Sequence, residues 1–128
     1  MAWETEQKEL APEVIARGVE RLIAKPEYGF YLLAEIDNEV AGTLMVTTEW
    51  SDWRDGLFWW IQSVYVAPQF RRKGVYRAMY SKVQELANHK PDVCGYRLYV
   101  ERDNVIAQNT YKQLGMHETD YFLFEAMR

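Results

Sequence analysis

Apolar residues at Val14, Ile15, Val19, Leu22 and Ile23 recur at the spacing of one helix face. Pro12 suits the first helical position, Glu13 favours the positive end of the helix dipole, and Lys25-Pro26-Glu27-Tyr28-Gly29 ends the element. The period then shortens towards two. It predicts a strand over 30–36, a tight Asp37-Asn38-Glu39 turn, and a second strand from Val40 to about Thr48. A polar loop with Asp52, Arg54, Asp55 and Gly56 leads into a third strand over 57–66, so three strands read as an antiparallel meander. A second helix is expected from about Gly74 to Asn88, with Val75, Ala78, Met79, Val83, Leu86 and Ala87 on its inner face. Pro91-Asp92-Val93-Cys94-Gly95 connects to a fourth strand over 96–101. Strand, crossover helix and strand imply parallel pairing with a right-handed crossover. Asp103 or Asn104 can cap a short helix that stops at Gly115, and a last strand is expected over about 119–126, around Tyr121, Phe122, Leu123 and Phe124.

Helix, three strands, helix, strand, helix and strand describe a mixed-sheet α/β (α+β) fold with helices covering the sheet. At 128 residues the chain reads as a single domain, residues 1–128, large enough for a core without disulfides or metals. An apolar content of 48% excludes disorder, and no apolar run reaches membrane-spanning length, so no membrane partner is expected. The formal net charge of −4 argues against a nucleic-acid partner despite a local basic run at Arg71-Arg72-Lys73. Cys94 has no second cysteine to pair with, and His89 and His117 stand alone, so no metal site is expected. The acidic start, Met1-Ala2-Trp3-Glu4-Thr5-Glu6, lacks the basic and apolar segments of an export signal, and a cytoplasmic protein is the expectation.

The stretch that carries chemistry is Val64-Tyr65-Val66-Ala67-Pro68-Gln69-Phe70-Arg71-Arg72-Lys73-Gly74-Val75-Tyr76-Arg77. Pro68 ends a strand, Gly74 gives the turn backbone freedom, and the helix that follows opens with unpaired N–H groups. Those groups and the dipole form an anion site, which Arg71, Arg72, Lys73 and Arg77 surround with positive charge. Neither a nucleotide P-loop nor a Gly-x-Gly-x-x-Gly fingerprint is present. The same residues also describe a solvated basic turn at the start of an ordinary helix. The stretch resembles the acyl-coenzyme A signature of the GNAT superfamily of N-acetyltransferases, Arg/Gln-x-x-Gly-x-Gly/Ala after a strand ending in Val-x-Pro. Arg71, Gly74 and Val66-Ala67-Pro68 match it, whereas Tyr76 stands at the position of the last Gly or Ala.

A second stretch, from Asn104 through Ala107 and Tyr111 to Gly115 and Met116, follows Leu98-Tyr99-Val100. It is similar to the GNAT pattern Leu-x-Val-x-x-x-Asn-x-x-Ala-x-x-x-Tyr-x-x-x-Gly-Phe, with Met116 in place of the aromatic. A capped amphipathic helix explains each residue singly, but not why both patterns fall in register and in order. The resemblance runs from roughly the first helix to the end of the chain.

The resemblance implies a GNAT-like, mostly antiparallel sheet and acetyl-coenzyme A as cosubstrate, with no metal. It implies that the ligand's pyrophosphate rests on the backbone of Arg71, Arg72, Lys73, Gly74, Val75, Tyr76 and Arg77. The pantetheine arm then follows Val64, Tyr65 and Val66, with Asn104 on its other side, and a backbone N–H polarises the thioester carbonyl. Tyr111 matches the family's tyrosine near the sulfur, where a phenol can protonate the departing thiolate; a packed tyrosine that only orders the ligand is the blander reading. Among Glu49, Asp52 and Glu101, Glu49 is the preferred general base, through a water, although a carboxylate at a strand end is commonly just solvated. Trp50, Trp53, Trp59 and Trp60 read as an acceptor wall or as core and surface filling. Alternation puts Trp59 and Trp60 on opposite faces. Cys94 sits in a loop beside Pro91 and Gly95 with no paired histidine, which favours direct transfer in a ternary complex.

By the same resemblance the chain begins inside the family's first helix, at residues 2–8, and lacks the usual first strand. The exposed sheet edge makes a homodimer a reasonable expectation. The leading reading is an N-acetyltransferase acting on a primary amine of a small molecule or protein. A non-catalytic acyl-coenzyme A sensor or interaction module is the alternative.

Overall fold

The computed structural model describes residues 11–128, so the expectations for residues 1–10 lie outside the described residues. Helix α1, Pro12–Ala24, carries proline in its first turn and Glu13 at the positive end of its dipole. Strands β1, Gly29–Ile36, and β2, Glu39–Ser51, form a hairpin. Asp37 and Asn38 join them with φ of 52° and 67°, the left-handed pair that a two-residue hairpin turn requires. Strand β3, Gly56–Val66, pairs antiparallel with β2. Helix α2, Val75–Ala87, crosses over to β4, Val93–Arg97, which pairs parallel with β3. Helix α3, Val105–Gln113, follows. The sheet order is β1-β2-β3-β4, so the architecture is the expected mixed, mostly antiparallel sheet with helices.

The core lies between one sheet face and α2. Leu44, Val46, Trp59 and Ile61 meet Val75, Met79, Tyr80, Val83 and Ala87. Gly42 permits this approach, since a Cβ there would stand 2.9 Å from Val75 Cγ1 and 3.0 Å from Tyr65 O. The expected inner face of α2 needs one correction: Ala78 is exposed and Tyr80 is buried. Residues 75, 79, 83 and 87 form the row that meets the sheet, and Tyr80 extends it sideways.

Three further expectations are corrected. Of the α1 stripe, Leu22 is buried, whereas Val14, Ile15, Val19 and Ile23 are exposed. Periodicity identifies an apolar face but not the surface that covers it. The fourth strand starts and stops earlier than 96–101, because it lasts only while it can bond β3. The last strand, expected over 119–126, does not form: residues 117–128 are exposed and belong to no strand. A strand's bonds all run to other segments, so its own sequence does not secure it.

Candidate active site

The basic turn is built between β3 and α2. After Val66, the Ala67 N–H donates to Ala41 O at 2.8 Å, and Pro68–Phe70 makes a short turn whose Phe70 is buried in the core. Arg71 Nε donates to Val66 O at 2.9 Å, which ties the start of the basic run back to the strand end. Arg72 has φ of 63° and Gly74 of 77°, and Gly74 is the N-cap of α2. The first intrahelical bond runs from Ala78 N–H to Gly74 O at 3.0 Å. The N–H groups of Val75, Tyr76 and Arg77 precede it, and no side chain caps them. Arg71, Arg72, Lys73 and Arg77 are exposed around this end, and a Cβ on Gly74 would meet nothing within 4 Å. Positive side chains, unpaired donors and open space fit an anion such as a pyrophosphate.

Beside the turn, β3 and β4 part. The β3–β4 pairing ends at Trp60↔Arg97, yet β3 continues to Val66. A register shift opposite Thr43 and Met45, with Ser63 at φ of 51°, re-aims the last part of β3. Val64, Tyr65 and Val66 are half-buried there, on a strand whose β4-facing edge has no partner among the described residues. Such an edge can bond an extended amide-bearing ligand as a strand would. Asn104 stands at the N-cap of α3, its Oδ1 accepting from Ala107 N–H at 3.2 Å, as expected of a cap. Gln108, which the sequence reading did not single out, holds the loop before α3 through Nε2 bonds to Glu101 O at 3.2 Å and Arg102 O at 2.9 Å.

A row of phenols links the elements on the α2 side. Tyr96 meets Tyr80 edge-on at 5.8 Å, Tyr80 stacks on Tyr76 at 6.3 Å, and Tyr76 meets Tyr111 edge-on at 5.6 Å. Tyr76 therefore turns between α2 and α3, and its hydroxyl is buried with no hydrogen-bond partner among the described residues. Burial, then the neighbouring Tyr111 and Tyr80 phenols, push its pKa far above the ordinary value of 10.0. Burial also raises Tyr111, so its phenol keeps its proton through neutral pH.

Glu49 lies on the other sheet face. It is paired with Phe58 across β2 and β3, and Phe58 alternates with Trp59, which faces the core. Glu49 Oε1 accepts from Trp60 Nε1 and from Arg97 Nη1, each at 2.9 Å. The Arg97 guanidinium lies 3.6 Å above the Phe58 ring, and Trp60 meets Tyr99 at 6.1 Å. Arg97 was not singled out from the sequence; it is the one charged residue of β4. The structure thus gathers the basic turn, the end of β3 and Tyr111's row on the α2 side, and sets Glu49 in a separate charged cluster. Trp50 and Trp53 are exposed, and Cys94 is a free, exposed thiol. Among the described residues no cluster suits a metal ion and no helix is long and apolar enough to cross a membrane.

The model of the Acetyltransferase (GNAT) family matches residues 1–116. A possible acetyltransferase from Clostridium difficile 630 is 40% identical, with a TM-score of 0.90 over 99% of this chain and 84% of that one. An aminoglycoside antibiotic 6'-N-acetyltransferase from Acinetobacter haemolyticus shares the fold at 20% identity, with a TM-score of 0.77 over 94% of this chain and 84% of that one. AAC(6')-Iy in complex with the bisubstrate analog CoA-S-monomethyl-acetylneamine shares it at 21% identity, with a TM-score of 0.76 over 100% of this chain and 87% of that one. No curated protein matches the chain.

Proposed function

Because the chain belongs to the GNAT acetyltransferase family, we propose that it moves the acetyl group of acetyl-coenzyme A to a primary amine, on a small molecule or a protein, by direct attack in a ternary complex. The observation that carries this reading is the turn over 71–77, where a left-handed Gly74 opens α2 and leaves three N–H groups aimed at open, positively charged space. The acyl donor supplies an activated thioester and a thiolate leaving group. The rest is the work of this chain's residues.

The backbone of Arg71, Arg72, Lys73, Gly74, Val75, Tyr76 and Arg77 holds the pyrophosphate, and Val64, Tyr65 and Val66 bond the amide-bearing arm through their free strand edge. Asn104 flanks that arm with its amide N–H groups, its oxygen being used in the cap. A β3 N–H stabilises the oxyanion as the amine attacks the carbonyl carbon. Tyr111, kept protonated by burial, donates its proton to the thiolate as the C–S bond breaks. The attacking nitrogen loses a proton through water to Glu49, whose Oε1 is held by Trp60 and Arg97 while Oε2 accepts the water's bond. Asp52 and Asp55, exposed in the β2–β3 turn, draw ammonium acceptors to this side.

One observation favours the alternative of a non-catalytic acyl-coenzyme A sensor: Glu49 is anchored by Arg97 on the sheet face opposite Tyr111's row. The test is calorimetric titration with acetyl-coenzyme A, repeated on Gly74→Trp, followed by thiol release with an amine panel that includes aminoglycosides. Saturable binding lost in Gly74→Trp together with amine-dependent thiol release is the expected result. Binding without thiol release from any amine selects the sensor. Absence of binding to the wild-type chain overturns both.

A further inference from the structure

The flank of α1 carries a pocket of about 300 Å³, lined by Val14, Arg17, Gly18, Arg21, Leu22 and Tyr28. It shares no residue with the basic turn, the end of β3 or the Glu49 cluster. Val14, Gly18 and Leu22 fall in one i, i+4 row of the helix, Arg17 and Arg21 in the row beside it, and Tyr28 comes from the turn that follows. Gly18, in the middle of α1, opens the row. Glycine in a helix interior is destabilising relative to alanine, yet among the described residues a Cβ at Gly18 would meet nothing within 4 Å. Packing within the described chain therefore does not call for glycine here, and the missing side chain leaves space for a guest. The two guanidiniums beside that space form no ion pair among the described residues, although Glu13 and Glu20 lie on the same helix. Leu22 is buried, and Val14 and Tyr28 offer exposed apolar surface.

We propose that this pocket binds a small aromatic carboxylate, its carboxylate forked by Arg17 and Arg21 and its ring lying over Gly18 against Leu22 and Tyr28. Arginine presents paired N–H donors in a plane that a carboxylate matches, and two arginines one helical turn apart offer it two such forks. The apolar lining decides between anions. A bare phosphate leaves Val14, Leu22 and Tyr28 unused, whereas an aryl carboxylate uses head and ring together. A volume of about 300 Å³ is at the small end of ligand pockets, which suits one or two fused rings. The site stands apart from acetyl-coenzyme A binding and does not rest on it.

The test is titration of the isotope-labelled full chain with naphthoate, neutral naphthamide and inorganic phosphate, read from backbone amide shifts. Saturable shifts over residues 14–28 with naphthoate are expected, and binding about tenfold weaker or worse with the other two probes. Naphthoate affinity should fall by the same order in Arg17→Gln/Arg21→Gln. Leucine is a better helix former than glycine, so Gly18→Leu should abolish the shifts with an unchanged or raised Tm. Acetyl-coenzyme A added in excess should leave naphthoate in place. The proposal is overturned if naphthoate gives no saturable shift, or if naphthamide or phosphate binds as tightly. Unchanged affinity in either variant overturns it too, as does displacement by acetyl-coenzyme A, which would assign the probe to the basic turn.

Discussion

Tyr76 occupies the signature position of a glycine or alanine and buries a hydroxyl that has no partner among the described residues. A buried unsatisfied polar group costs about 1–3 kcal/mol, so Tyr76→Phe is expected to stabilise the fold by about 1 kcal/mol at neutral pH, measured by denaturant unfolding. The variant also changes the alkaline response. Tyr76's folded-state pKa is raised above the unfolded value of 10.0, chiefly by burial, so the native chain binds more protons than the unfolded one above that pH. Stability from this phenol is complete below pH 10.0 and is lost as pH rises towards the folded-state value. Wild-type stability should therefore fall above that pH and fall less in Tyr76→Phe, with Tyr80, Tyr96 and Tyr111, all raised, carrying the remainder. At the proposed acid, Tyr111→Phe should lower kcat by about tenfold, below the usual general-acid effect of about 10²–10⁴, because thiolate is a good leaving group. Glu49→Gln leaves the Arg97 guanidinium without its carboxylate, and the partly exposed pair should cost about 1 kcal/mol of stability. A fall in kcat at saturating amine with acetyl-coenzyme A affinity unchanged would separate a catalytic role from this structural one.

At the scale of elements, the hairpin turn, both caps of α3 and the start of α2 are all legible, because each rests on residues within a few positions of one another. Asn104 and Gly115 are the clearest cases. Asn104→Ala removes the bond to Ala107 N–H and should cost about 1 kcal/mol, read from a thermal melt. Gly74→Ala is a finer probe than a bulky substitution. The added methyl meets no atom, so its cost is the left-handed φ of 77° alone, about 1 kcal/mol. Acetyl-coenzyme A affinity should fall modestly in Gly74→Ala and vanish in Gly74→Trp, as read by titration calorimetry. Arg97 and Tyr80 escaped the sequence reading for the same reason. Arg97 acquires meaning only when β4 sets it beside Trp60, and Tyr80 only when Tyr96 arrives across the layer.

For the whole molecule, a ligand that binds only the folded chain stabilises it by mass action. Acetyl-coenzyme A at a hundredfold excess over its Kd should add about 2.7 kcal/mol, seen as a raised Tm in wild type and absent in Gly74→Trp. The sequence by itself determined the order and type of most elements, the mixed sheet and the basic turn that opens α2, since local spacing and backbone preference act within short windows of chain. Only the tertiary structure decided where the β3–β4 pairing stops, which face carries Glu49, how Tyr76 turns inward against Tyr111, and that the apolar segment over 119–128 finds no place in its own sheet. Those outcomes depend on which distant segments supply hydrogen-bond edges and cover, and no local pattern encodes a partner's position.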